Sequence, residues 1–152
     1  LPVMITALKW FGIGALIVAL LFVALRFYFE SYNVKVADEL RTQPQGDRAQ
    51  KVMMIAFPDG EQIPVNYLRE GDKVFTAADG RWWRHFKGQG AEVQLLIKGE
   101  ELSGHGVVIL DDPAYVHDVF ARLRPTAPAW LPDWLNGRLV VIRLDEAASQ
   151  TP

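Results

Sequence analysis

From Trp10 to Leu25 the chain carries sixteen apolar residues in a row. As a helix this run reaches about 24 Å, a little short of a hydrocarbon core of roughly 30 Å. The flanks supply the rest. Lys9 and Arg26 can extend their charged ends to the interface, and Trp10 with Phe27, Tyr28 and Phe29 has the character of an aromatic anchor. A buried helix of a soluble domain would show a polar face, and a cleaved signal would end in small residues. Neither occurs, so the pattern predicts a retained single-pass anchor over residues 1–29. Gly12, Ala15 and Ala19 form a small-residue stripe on that helix, which lets a second transmembrane helix approach closely. The basic residues after the span, Arg26, Lys35 and Arg41, outnumber Lys9 before it. That excess predicts a domain on the cytoplasmic side of the cell inner membrane.

The pattern then changes. Residues 30–50 are polar and read as a juxtamembrane helix followed by a turn at Gln43 to Asp47. From Lys51 short β-rich runs alternate with turns. The expected strands are Val52–Phe57, Ile63–Leu68, Lys73–Ala77, Glu92–Ile97, Glu101–Leu110 and Leu139–Leu144, separated by turns such as Pro58-Asp59-Gly60 and Lys98-Gly99. In the fourth, Val93, Leu95 and Ile97 share one face. Two helical pieces interrupt the series. One is a short turn over Arg81–Lys87. The other begins at Asp112-Pro113, where Asp caps free amides and Pro fits the first helical position, and carries Val116, Val119, Phe120 and Leu123 at core-facing spacing. This is a meander over residues 51–146, with the spacing of a barrel or sandwich, and 147–152 is an expected disordered tail.

Composition narrows the function classes. The chain has 152 residues, half of them hydrophobic, 22% charged, and no cysteine. Disorder is excluded by the apolar content, and thiolate metal sites, disulfides and thiol catalysis by the lack of cysteine. Two of the 16 basic residues, Lys9 and Arg26, lie in the first 29 positions with no acid. The remainder therefore holds 14 basic against 18 acidic side chains, a formal −4. An acidic domain without a basic stripe is not a nucleic-acid binder.

Several stretches after Lys51 resemble one family. Ile63-Pro64-Val65-Asn66-Tyr67-Leu68-Arg69-Glu70-Gly71-Asp72 is similar to the second-strand segment of the F420-dependent nitroreductase/quinone reductase family. Trp82-Trp83-Arg84-His85-Phe86 resembles that family's Trp-Trp-Arg-Asn-Leu helix. Val93 to Leu110 and Leu139 to Arg143 continue the match. The resemblance implies a mainly β, six-stranded split barrel with two short helices, preceded here by the transmembrane helix. It also implies a flavin-type cofactor. The chain departs from the family between the first two strands. There the family has a Gly-Arg-Arg-Ser-Gly-type basic loop for the cofactor's phosphate-containing tail, and this sequence has Phe57-Pro58-Asp59-Gly60-Glu61. Two acids would repel a phosphate, which needs an amide nest or an Arg/Lys clamp.

The departure sets the expectation of no cofactor, no catalytic residue, and a non-catalytic accessory subunit of a larger membrane complex, respiratory or photosynthetic for example. Its partners would be membrane lipid and other transmembrane subunits. The alternative is a membrane-anchored F420- or FMN-dependent reductase of quinones or nitro compounds. In that case Arg81, Arg84, Lys87 and Tyr67 would bind the cofactor. The three histidines, His85, His105 and His117, show no metal-ligand motif, so no metal is expected. Trp130 and Trp134, in an irregular proline-bearing segment, would face the membrane surface or a partner.

Overall fold

The computed structural model of the chain describes residues 2–146, so the tail expected at 147–152 lies outside the described residues. Helix α1 runs unbroken over Pro2–Thr42, joining the expected anchor and juxtamembrane helix into one element. No helix-breaking residue stands between Phe29 and Thr42. By length and composition α1 is able to cross a membrane. Its most apolar 18-residue window has a mean hydropathy of 2.3, and none of that window is buried. The chain divides into two compact units at Val36 and Ala37.

The second unit is a seven-stranded antiparallel sheet curled into a half-barrel. Its strands are β1 Val52–Ala56, β2 Gln62–Asn66, β3 Leu68–Glu70, β4 Lys73–Ala78, β5 Ala91–Ile97, β6 Glu100–Ile109 and β7 Arg138–Leu144. Their spatial order is β2-β1-β5-β6-β7-β4-β3. Helix α2 spans Pro113–Leu123, and its Asp112 cap accepts the Tyr115 N–H at 3.0 Å. Short 3-10 turns occupy Arg48–Gln50, Arg81–Phe86 and Asp133–Asn136.

The seventh strand comes from a single break. The sequence reads Ile63–Leu68 as one strand, but Tyr67 divides it. Before Tyr67 the chain pairs with β1, with Asn66 opposite Val52. After it the chain pairs with β4, with Leu68 opposite Phe75. The two edge strands of the sheet are thus consecutive in the chain, and the sheet must curl for both to find their partners. The Thr76 hydroxyl, fully buried, crosses the seam and donates to the Asn66 carbonyl at 2.7 Å.

Alternation sorts the side chains between two cores. Met53, Ile55, Val74, Val93, Leu95, Ile97, Val140 and Ile142 fill the barrel interior with Phe86. Phe75, Ala77 and Leu139 point outward from the same strands, and the Val119–Phe120 face of α2 covers them. Strands β4 and β7 are therefore buried on both faces, which explains the apolar run Leu139–Ile142 in β7 and leaves Thr76 as the one polar residue buried within β4. Full burial of a Val, Ile or Phe side chain contributes about 1.5–3 kcal/mol. The β5–β6 turn is tight, with positive φ at both Lys98 (52°) and Gly99 (83°), the geometry of a two-residue hairpin. The segment before β1 belongs to this unit. Leu40 and Ala49 are buried, Arg48 pairs with Glu39 at 2.7 Å, and the Gln45 amide donates to the Lys98 carbonyl at 3.1 Å.

Candidate functional site

The β1–β2 hairpin has two ends, and the expected cofactor residues fall on different ones. At its turn, Phe57 N–H donates to the Glu61 carbonyl at 2.9 Å. At its open end, Tyr67 N–H donates to the Lys51 carbonyl at 3.0 Å. The five residues of β1 separate Lys51 from Phe57, six steps or about 20 Å at 3.3 Å per residue.

The 3-10 turn Arg81–Phe86 packs at the Phe57 end. Phe86 is buried in the barrel core. The Phe57 ring lies 5.9 Å from Phe86, 6.0 Å from Trp82, and only 4.4 Å from the His85 ring, nearly parallel to it. Arg81 and Arg84 are exposed. The Lys87 ammonium sits 4.8 Å above the Trp83 ring, and the Arg138 guanidinium 5.6 Å from the same ring. Arg81, Arg84 and Lys87 thus share one short segment, while Tyr67 belongs to the opposite end of the hairpin. Local sequence pattern gives no measure of that separation, because the pairing register creates it.

Tyr67 lies beside a cleft of about 510 Å³ lined also by Lys51, Asn66, Arg122, Arg124 and Pro125. A second recess of about 250 Å³, which includes Arg69 and Lys98, adjoins it through Gln50, Tyr67 and Leu68. The larger volume is in the range of small-molecule sites. Arg122 is held on two sides, by Glu70 and by Asp118, the latter at 2.9 Å. The Tyr67 hydroxyl donates to the Ala49 carbonyl at 3.0 Å. Burial pushes its ionisation upward, against an opposing pull from the Arg69 charge. Lys51, Arg122 and Arg124 escaped the sequence reading. The only available signal was cations flanking a strand start and a helix end, which is common on solvated surfaces.

A phosphate-bearing ring cofactor can be tested against both ends. The Phe57–Glu61 turn does not fit one, since Asp59 and Glu61 present carboxylates towards His85 at 3.9 and 3.7 Å. The Tyr67 cleft fits better: its lining has Lys51 and Arg124, an Arg122 whose charge is already matched by Glu70 and Asp118, and the apolar Leu68, Leu123 and Pro125. The other sequence candidates lie elsewhere. His105 holds Glu92 at 2.5 Å and the Gln89 carbonyl at 2.7 Å. Trp130 and Trp134 are exposed at 78% and 74%. Gly12, Ala15 and Ala19 line exposed stretches of α1.

The fold defines a mainly β half-barrel with one long apolar N-terminal helix. No protein-family model matches the chain, and no curated protein matches it. Solved structures of similar fold include a pyridoxamine 5'-phosphate oxidase-like protein from Listeria innocua, at 13% identity and TM-score 0.42, covering 63% of this chain and 82% of that one. An F420 reductase is similar at 15% identity and TM-score 0.40, covering 63% of this chain and 87% of its own. An FMN-binding protein from Syntrophomonas wolfei subsp. wolfei is similar at 11% identity and TM-score 0.40, covering 84% and 94%. At this level the likeness carries no residue-by-residue correspondence. The expectation of no cofactor is nevertheless corrected here. Two of these proteins are described as an F420 reductase and as FMN-binding.

Proposed function

We propose that the chain is a membrane-anchored oxidoreductase that uses a flavin-type cofactor, FMN or F420, with a lipid-soluble acceptor such as a quinone. The observation that carries this reading is the cleft of about 510 Å³ at Tyr67, whose lining includes Lys51, Arg122 and Arg124 beside Leu68, Leu123 and Pro125. Lys51, Arg122 and Arg124 would hold a phosphate through charge-assisted hydrogen bonds. Because Glu70 and Asp118 fix the Arg122 guanidinium, it meets an anion already oriented. Asn66 and Gln50 offer amides to ring oxygens, and Leu68, Leu123 and Pro125 exclude water from one face. When bound, the cofactor supplies hydride transfer at its ring. Helix α1 would keep the domain beside lipid acceptors, on the cytoplasmic side of the inner membrane by the excess of Arg26, Lys35 and Arg41. The Gly12, Ala15 and Ala19 stripe would seat a neighbouring transmembrane helix.

The test is a titration of the full chain, in mild detergent, with FMN and with F420, read by cofactor fluorescence. Saturable quenching at micromolar cofactor is expected. Lys51→Ala and Arg124→Ala should each weaken it about tenfold or more, since one charge-assisted contact is worth about 1.5–3 kcal/mol. Arg84→Ala should leave it unchanged. Loss in Arg84→Ala alone would move the site to the Arg81–Lys87 segment. Absence of saturable binding by either cofactor would return the chain to the accessory-subunit reading.

A further inference from the structure

We infer that Asp59, Glu61 and His85 form a site for a divalent transition-metal ion of the zinc type. Nε2 of His85 faces Oδ2 of Asp59 at 3.9 Å and Oε2 of Glu61 at 3.7 Å. The three candidate ligand atoms lie within 4.8 Å of one another. Ligands around a tetrahedral zinc, at bonds of about 2.0–2.1 Å, stand about 3.4 Å apart. Against that spacing each carboxylate needs to move only about half an ångström or less towards the imidazole, and the two carboxylates up to about 1.4 Å towards each other. They are free to do so, with side chains 54% and 53% exposed.

Two separate elements set this convergence. In the β1–β2 turn, Gly60 takes a φ of 90° and donates its N–H to the Phe57 carbonyl at 2.9 Å. Asp59 spends Oδ1 on the Glu61 N–H at 3.0 Å, which leaves Oδ2 for the imidazole side. On the other element, burial of Phe86 fixes the 3-10 turn, and stacking on Phe57 sets the plane of the His85 ring. Two like charges are therefore held close together. Among the described residues, His85 is the only ion-pair partner of either carboxylate. An imidazole carries at most one positive charge against two negative ones, whereas a divalent cation balances both. Imidazole with carboxylates favours zinc and its neighbours over calcium or magnesium. Three protein ligands leave a coordination position for water or another donor. The turn that would repel a phosphate is thus suited to the opposite charge. The site lies at the other end of the hairpin from the Tyr67 cleft and does not depend on what that cleft binds.

The full chain, stripped of metal in mild detergent, should take up one Zn²⁺ per molecule in competition with a chromophoric chelator, and its unfolding temperature should rise. Asp59→Asn keeps the turn's acceptor, Glu61→Gln keeps the side-chain size, and His85→Phe keeps the stack on Phe57. Each should weaken zinc binding by more than the roughly tenfold that loss of an outer-shell partner costs, and remove the thermal shift. His105→Ala should bind zinc as the parent does. No stoichiometric uptake, or equal affinity in all three ligand variants, would overturn the inference. The readout is metal affinity and not cofactor binding, so its failure is distinguishable from failure of the reductase reading.

Discussion

The Tyr67 hydroxyl reaches across the open end of the hairpin and donates to the Ala49 carbonyl at 3.0 Å. Both residues are buried. The contact ties the segment that enters the barrel to the corner between β2 and β3, where the chain gives up pairing with β1 for pairing with β4. That corner also lines the larger cleft.

Tyr67→Phe should therefore destabilise the domain by about 1–3 kcal/mol, because the Ala49 carbonyl is left buried without its donor. The measurement is denaturant unfolding followed by tryptophan fluorescence. The parent should also lose stability at high pH. Burial raises the Tyr67 ionisation above its ordinary value near 10, so its contribution is complete below that value and fades as pH climbs through the folded one. Tyr67→Phe should lack this component. An unchanged midpoint in Tyr67→Phe would mean that the bond contributes nothing.

Gly106 in β6 has no room for a side chain. A Cβ there would stand 2.4 Å from Cε1 of Phe86 and 3.3 Å from Cγ1 of Ile142. Gly106→Ala should cost about 1–3 kcal/mol through overpacking. Because Phe86 must move, the Arg81–Phe86 turn should loosen as well, which proteolysis within that turn would report. A variant as stable and as resistant as the parent would contradict this packing.

His105 has acceptors on both ring nitrogens, Glu92 on Nδ1 and the Gln89 carbonyl on Nε2. Only the protonated ring can donate to both. Its pKa is accordingly raised above the ordinary 6.5, first by the Glu92 hydrogen bond and then by the Gln89 carbonyl. The sign follows from linkage: the stabilisation is complete below the unfolded value and is lost as pH rises through the folded one. An NMR titration of the ring should show the elevation, and Glu92→Gln should reduce it. An identical titration in Glu92→Gln would refute the assignment.

Membrane association through α1 should survive carbonate washing. Ala19→Arg, in the middle of the apolar run, should reduce insertion, since Arg at a helix centre carries a penalty of about 2.5–3.5 kcal/mol. Recovery of the parent chain in the supernatant would rule out a spanning helix.

Much of the architecture was present in the order of residues because it depends on neighbours a few positions apart. The apolar run of α1, the period-two alternation of β5, the Asp112 cap and the core stripe of α2 are local patterns. Each appears where the sequence places it. Three features were decided only by the tertiary structure. Tyr67 splits one apparent strand into two because its flanks find partners on opposite edges of the sheet. The register of β1 with β2 then parts Tyr67 from Arg81, Arg84 and Lys87, and brings it instead beside Lys51, Arg122 and Arg124. The same closure carries His85 across to Asp59 and Glu61, some 25 positions away in the chain by the period of no local motif. Such meetings depend on long-range pairing and on which face each side chain takes, and a pattern read a few residues at a time contains neither.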